Sequence, residues 1–362
     1  MSMPVISVTN LRKRFNLEAG FFAQLGRYVH AVNGVSFNIG RNESFGLVGE
    51  SGCGKTTTAR LLVRMYEADE GEIHFQSQTD NSLDGSFTDN KTDNKIDVRK
   101  LKGKDFKRYR EKVKYVFQDP ARSLNPRMTV YEVLTSGARW STKRQTVKVL
   151  REEAAAILEE VGLSAADLER RPAEFSGGQR QRISIARGLM MNPSLLICDE
   201  VVSALDVSIQ GQILNLLLDL RSRRESSRQE LSFLFIAHDL KVASYFCDRI
   251  GVMYQGEIME EAAAATLWKS YKHPYTELLF SSINNNNYNN NNYKRGNLPT
   301  LKGQAASVTP TLGEAKSAIT QNESCAFALR CPYVEDHCYR EKPELKEAEA
   351  GHLVRCWRKF NF

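Results

Sequence analysis

The sequence predicts an α/β fold in which an antiparallel β portion leads into a phosphate-binding loop, a helical portion follows, and a small cysteine-rich extension lies at the C-terminal end. Three observations carry that expectation. Gly49-Glu50-Ser51-Gly52-Cys53-Gly54-Lys55-Thr56 fills the template G-x-x-x-x-G-K-[ST] at every fixed position. It sits between a strand-like apolar run, Ser44-Phe45-Gly46-Leu47-Val48, and a helix-suited run from Thr57 to Arg64. Leu195-Leu196-Ile197-Cys198-Asp199-Glu200 reads as a short buried strand that ends in two carboxylates, which needs a cation or a reaction to account for it. Finally, Cys325, Cys331, Cys338 and Cys356 crowd the C-terminal end, while the other three of the seven cysteines, Cys53, Cys198 and Cys247, are scattered.

A chain of 362 residues suits one large domain plus an appendage. With 41% hydrophobic and 26% charged residues it is globular, and no run approaches the roughly 18 apolar residues of a membrane helix. The start, Met1 to Val8, lacks the basic and then apolar regions of a secretion signal, so the expected location is the cytoplasm. A net charge of +7 is modest for this length and the Lys and Arg are spread widely, so charge alone does not indicate nucleic acid. In a reducing compartment the clustered cysteines point to metal more than to disulfides.

Along the chain, residues 5–48 alternate apolar and polar positions with turn signals at Asn33-Gly34 and Ile39-Gly40, as an antiparallel β portion should. Phe15, Phe21, Phe22 and Tyr28 fall in or beside a loop there, and Phe15 and Tyr28 are candidates to stack on a base or simply to pack. Gly71 to Phe75 reads as a strand, and the polar stretch 76–95 as a surface loop. Arg99 to Lys114 holds nine Lys or Arg with Leu101, Phe106, Tyr109 and Val113 interleaved, the pattern of an amphipathic helix with a solvated face. Gln118 stands at the end of a strand from Lys114, stopped by Asp119-Pro120, and residues 129–163 read as helices. Ser176-Gly177-Gly178-Gln179 opens an amphipathic helix, as an anion cradle or as an ordinary N-cap with a flexible lead-in. Ser203-Ala204-Leu205-Asp206 starts another helix, and the apolar strand Leu231 to Ile236 ends at Ala237-His238-Asp239.

The chemistry follows from these placements. Gly49, Ser51, Gly52, Cys53 and Gly54 form the loop whose backbone wraps phosphate oxygens, and the helix that follows from Thr57 points unpaired N–H groups at them. Lys55 would reach the β- and γ-phosphates and the Thr56 hydroxyl would sit on Mg²⁺. Asp199 suits Mg²⁺ coordination, and Glu200 suits polarisation of an attacking water.

Taken in order, Gly49–Thr56, Gln118, Ser176–Gln179, Leu195–Glu200, Ser203–Asp206 and His238 resemble the motif series of an ATP-binding-cassette (ABC) ATPase over about residues 4–262. The resemblance implies a P-loop ATPase core with an antiparallel β subdomain and a helical subdomain at about 119–190. It also implies ATP and Mg²⁺ as cofactors, Gln118 as sensor of metal and water, Glu200 as catalytic base and His238 as γ-phosphate switch. In that family Ser176, Gly177, Gly178 and Gln179 touch the ATP held by the other cassette, so a head-to-tail pair is implied, and Asp206 is implied among the nucleotide-binding residues. The family usually has proline after the Walker B glutamate; Val201 stands here, with both carboxylates retained.

Gln118-Asp119-Pro120, Ser123 to Val130, Ser203 to Gln210 and His273-Pro274-Tyr275-Thr276 resemble the importers of dipeptides, oligopeptides and nickel, most closely their second ATPase. This implies a non-identical partner ATPase, two membrane permease subunits and an external substrate-binding protein, with the chain at the cytoplasmic face of the membrane and no nucleic acid. Residues 263–320 would be a helical segment and a linker that includes the tract Asn284 to Asn292, and 321–362 a separate extension. The spacing Cys325-x5-Cys331-x6-Cys338-x17-Cys356 is similar to the extension of these importers, which in some members carries a four-iron, four-sulfur cluster. Zinc and free thiols stay open beside it. A soluble cassette ATPase of DNA repair or translation is the competing class, but such proteins usually carry a long coiled coil or two cassettes, and this chain has one motif set.

Overall fold

The computed structural model describes residues 4–16, 28–76, 95–138, 141, 145–226, 230–285 and 323–358. Residues 77–94 of the loop read at 76–95, Phe21, Phe22 and nearly all of the asparagine tract lie outside the described residues.

Twelve strands and ten α-helices are described: β1 (Ile6–Asn16), β2 (Tyr28–Ile39), β3 (Ser44–Val48), α1 (Lys55–Leu62), β4 (Glu70–Gln76), β5 (Lys95–Asp97), α2 (Gly103–Lys112), β6 (Val113–Val116), α3 (Pro120–Ser123), α4 (Val130–Thr135), α5 (Val147–Glu160), α6 (Gly177–Leu189), β7 (Leu195–Asp199), α7 (Val207–Ser226), β8 (Ser232–Ala237), α8 (Leu240–Phe246), β9 (Arg249–Tyr254), β10 (Glu257–Ala263), α9 (Ala264–Ser270), α10 (Pro274–Asn285), β11 (Lys346–Glu349) and β12 (His352–Val354). They form a four-stranded antiparallel sheet, β2-β1-β4-β5, and an eight-stranded sheet, β11-β12-β10-β9-β3-β8-β7-β6. In the larger sheet β9, β3, β8, β7 and β6 run parallel, and β10, β12 and β11 extend it antiparallel.

The central strands are apolar along their whole length because both faces are covered. Successive side chains point to opposite faces, so they divide by parity. Leu195 and Ile197 of β7 and Leu234 and Ile236 of β8 join one core with β1, β2, β4 and α1. Leu196, Cys198, Phe233 and Phe235 join the other, with the helical segment and α7 to α10. The basic run is the amphipathic helix its spacing predicts: α2 sends Tyr109 fully inward, where its hydroxyl donates to the Leu62 carbonyl at 2.5 Å. The helical segment 120–189 opens its helices on side-chain caps, Asp119 for α3, Thr129 with Glu132 for α4 and Thr146 for α5.

The extension departs from the expectation of a unit set apart by a tether. β12 pairs with β10 (Glu260 opposite Val354, Glu261 opposite Leu353), and Phe327 is buried in the cassette's own core. Two physical reasons account for this. β10 would otherwise be an open sheet edge with unpaired main-chain groups. It also carries three buried carboxylates, Glu257, Glu260 and Glu261. The extension supplies Lys342 to Glu257 at 2.6 Å and His352 to Glu260 at 2.7 Å, while Glu261 pairs with Arg249 inside the cassette. Burying carboxylates is costly unless they are paired, so these contacts tie the two parts together.

Candidate active site

The site lies at the C-terminal ends of β3, β6, β7 and β8, where a parallel sheet opens toward solvent. From β3 the chain turns through Gly49–Gly54 into α1. A Cβ on Gly49 would lie 2.1 Å from the Met253 carbonyl oxygen, and one on Gly54, at φ +108°, 2.1 Å from that of Ala31. Glycine at these two positions is what lets the loop nest against β9 and β2. Lys55 is almost fully buried, and its Nζ donates to the carbonyls of Gly49 at 2.8 Å and Glu50 at 2.9 Å. The ammonium thus waits inside the loop on neutral acceptors that phosphate oxygens would replace. Beside it, burial pushes the Cys53 thiol above its ordinary range despite the lysine, so Cys53 packs as a neutral side chain.

Four strand ends are stitched together. Thr56 Oγ1 donates to Asp199 Oδ1 at 3.0 Å, and the Tyr115 hydroxyl donates to Asp199 Oδ2 at 2.5 Å. Gln118 Nε2 donates to Glu200 Oε2 at 2.6 Å, and the Glu200 N–H reaches the Ile236 carbonyl of β8 at 3.0 Å. Asp199 is buried, so these two hydroxyls are what an ionised carboxylate has in place of water. Burial, and then the Asp199 charge, drives the Tyr115 pKa upward and keeps the phenol a donor. Glu200 holds φ +49°, a left-handed backbone that a non-glycine residue rarely takes. That turn, braced by the Ser203 hydroxyl on the Glu200 carbonyl at 2.9 Å, aims the carboxylate at Gln118 while Val201 and Val202 point into the core. Val201 therefore takes up the place of the usual proline as an apolar anchor.

The other predicted residues fall outside this constellation. His238 is exposed just after β8, and Thr57 is half-buried in the first turn of α1. Ser176 and Gln179 form a reciprocal capping box, Ser176 Oγ accepting from the Gln179 N–H at 3.3 Å and Gln179 Oε1 from the Ser176 N–H at 3.0 Å. A Cβ on Gly178 would lie 2.8 Å from Ile209 of α7, so the motif start packs against the segment that follows Asp206. Ser176, Gln179 and Asp206 are exposed and Gly177 is half-buried; the Asp206 carbonyl accepts from the Gln210 N–H at 2.8 Å. α7 begins at Val207, one residue after the run expected to start it. Of the aromatic candidates, Phe15 packs edge-on to Tyr66 at 5.3 Å between ring centres, and Tyr28 lies under Arg14 at 4.7 Å.

Cys325, Cys331, Cys338 and Cys356 line one cavity of about 20 Å³. Burial pushes the Cys325 thiol up to about 11, with Cys338, Cys356 and Cys331 acting in the same direction, and burial also raises Cys331 and Cys356. Among the described residues no group of three or more His, Cys, Asp or Glu is placed to hold a metal ion. The cluster expected on these four cysteines is therefore not supported.

Three participants escaped the sequence reading. Tyr115 reaches Asp199, the Tyr275 hydroxyl accepts from the Glu50 N–H at 3.0 Å, and Arg330 grips the Glu50 carboxylate. A period-two signal at Tyr115 and the His273–Thr276 motif were available for the first two. For Arg330, 280 residues from Glu50, no sequence signal exists.

A phosphate loop, a buried carboxylate on its threonine and a second carboxylate held by a glutamine, all at adjoining strand ends, define an ATP-binding cassette. Residues 32–203 match the ABC transporter family, and residues 259–338 match the oligopeptide/dipeptide transporter C-terminal region. The chain is 38% identical over 352 residues to the oligopeptide transport ATP-binding protein AppF of Bacillus subtilis, spanning 97% of this chain and 96% of that one. It is 35% identical to the dipeptide transport ATP-binding protein DppF of Haemophilus influenzae, spanning 98% and 96%. The chain belongs to the ABC ATPases of the oligopeptide and dipeptide importer family, and it hydrolyses ATP. Its fold matches the ATP-binding cassette MJ0796 in a dimeric, post-hydrolysis state with ADP and phosphate (TM-score 0.56, 26% identity, 72% of this chain and 98% of that one). It also matches CbiO1 from Clostridium perfringens in fold (TM-score 0.58, 23% identity, 79% and 96%).

Proposed function

We propose that this ATPase powers import of oligopeptides or dipeptides through separate membrane subunits, at the cytoplasmic face of the membrane and together with a second ATPase and an external binding protein. Among the described residues no helix is long and apolar enough to cross a membrane, which supports a peripheral place on such permeases. The relatives' names, oligopeptide and dipeptide transport ATP-binding protein, support peptide over nickel and over a clamp on nucleic acid.

The observation that carries the mechanism is the pairing of Thr56 with Asp199 and of Gln118 with Glu200 at neighbouring strand ends. Triphosphate would draw the Lys55 ammonium from the Gly49 and Glu50 carbonyls, while Thr56 and Asp199, with Gln118, would hold Mg²⁺. The Glu200 carboxylate takes a proton from water as the water oxygen bonds to the γ-phosphorus and the bond to the ADP oxygen breaks, giving ADP and phosphate. His238 would contact the γ-phosphate, and the exposed Ser176–Gln179 and Asp206 would meet the nucleotide on the partner cassette. The test is extraction of the complex in detergent. Recovery of permease subunits with this chain, and hydrolysis that rises with peptide-loaded binding protein, is the expected result. A free monomer hydrolysing at a rate independent of its concentration would refute the paired cassette.

The same reading extends to the four thiols, which share one cavity and are of the type that binds zinc or an iron–sulfur cluster. Metal on them would require the thiols to rearrange, since among the described residues they are not placed to hold an ion. Metal analysis of chain purified without oxygen, against Cys331→Ser, separates iron, zinc and no metal.

A further inference from the structure

The loop that takes a nucleotide polyanion contains an acid. Glu50 sits one residue after Gly49, and its side chain is two-fifths exposed. Unpaired, such a carboxylate would repel phosphates within a few ångströms. Here every hydrogen-bonding group of Glu50 is held. Its N–H donates to the Tyr275 hydroxyl at 3.0 Å, its carbonyl accepts from Lys55 at 2.9 Å, and its two carboxylate oxygens accept from Arg330 Nη1 and Nη2 at 2.8 and 2.9 Å. The fork-to-fork contact fixes direction as well as charge.

The two outer holders are themselves anchored together. Tyr275 is fully buried at the start of α10, and Phe327, buried three residues before Arg330, packs against its ring at 5.4 Å between centres, tilted by 56°. Phe327 also meets Tyr254 edge-on at 5.3 Å, and the Arg330 guanidinium lies 5.6 Å from that Tyr254 ring. Arg330 therefore stands on a packed aromatic base, in a turn bracketed by Cys325 and Cys331. When phosphate draws Lys55 away from the Glu50 carbonyl, the Cys53 N–H still donates to that carbonyl at 3.3 Å, and Tyr275 and Arg330 still hold the N–H and the carboxylate.

We infer that Arg330 is a positioning residue for the nucleotide: from the C-terminal extension it neutralises Glu50 and turns its carboxylate away from the phosphates, so the extension sets the cassette's affinity for ATP. This rests on the reading of residues 49–56 as the ATP site. It does not require any metal on the cysteines.

The experiment measures binding of the non-hydrolysable analogue adenylyl imidodiphosphate with Mg²⁺ to the full chain by titration calorimetry. Arg330→Met is expected to weaken binding about three- to ten-fold at low salt, with a smaller loss at high salt, since an exposed charge is screened. Adding Glu50→Gln to Arg330→Met is expected to return affinity to within about two-fold of the parent, because the charge that needed neutralising is gone. A mere loosening of the extension would not be rescued that way, so a double variant as weak as Arg330→Met overturns the inference. So does parent affinity in Arg330→Met while Lys55→Ala binds poorly. Unchanged affinity in Lys55→Ala would instead bring down the reading of the loop itself, and this inference with it.

Discussion

Residues 49–56 and residues 323–358 meet at Glu50, yet they are fixed by different means. The loop is held by main-chain contacts: glycines that tolerate a carbonyl at 2.1 Å from where a Cβ would be, and a lysine folded back on two carbonyls. The extension is held by side-chain charge and strand pairing, with Lys342 and Arg355 against Glu257, His352 against Glu260 and β12 along β10. A main-chain cradle presents the same N–H groups whatever happens around it. A pairing of buried charges changes when either partner changes protonation or place. This cassette thus joins a rigid ligand site to an appendage whose grip depends on conditions.

The sharpest way to separate the two regions is Glu200→Gln. The amide keeps the bond geometry with Gln118 but cannot take a proton, so turnover should fall by about 10²–10⁴-fold while nucleotide still binds and the extension stays protease-resistant. Phosphate release and limited proteolysis on one preparation check this, and parent turnover would remove Glu200 from the role of base.

Phe327→Ala acts from the other side. Truncating this fully buried ring should cost about 3–5 kcal/mol of packing and expose residues 323–358 to protease, with β3 and α1 still folded. An extension as resistant as the parent's would show that β12 and the ion pairs suffice without the aromatic base.

Acid should discriminate as well. Burial holds His273 neutral, its pKa pushed down to about 4 from 6.5, with its Nδ1 accepting the Tyr275 N–H at 3.0 Å. The unfolded chain takes up that proton first. The stabilisation is therefore full above about pH 6.5 and is lost as pH falls through about 4, a few kcal/mol at most. Urea midpoints at pH 7 and pH 5 should differ less in His273→Gln than in the parent; equal differences would remove His273 as a source.

The smallest effect is expected of Tyr115→Phe. It takes one of two hydroxyls from the buried Asp199, and hydrolysis should need a few-fold more Mg²⁺. An unchanged Mg²⁺ requirement would reduce Tyr115 to core packing.

Much of this was legible in the chain because the loop, the strand ending in Asp199 and Glu200, and the cap Ser176-x-x-Gln179 are local: each needs only neighbours within a few residues. What was illegible is long-range. Nothing near Glu260 says that its partners are His352 and the Lys272 and His273 N–H groups, and nothing in the Asn284–Asn292 tract says that the chain beyond it returns to β10. Nor does anything near Phe327 say that this residue of the extension is buried in the cassette's core.

The pairing of β12 with β10 also sets a schedule for synthesis. Roughly ninety residues lie between the two strands, so at about 5–20 residues per second the ribosome delivers the edge of the sheet on the order of five to twenty seconds before its cover. Through that interval Glu257 and Glu260 stand on an open strand without Lys342 and His352. Two acids along an unfinished edge make poor company for any other β-strand passing by, so the residues that later fasten the extension first guard the newborn chain against joining its neighbours.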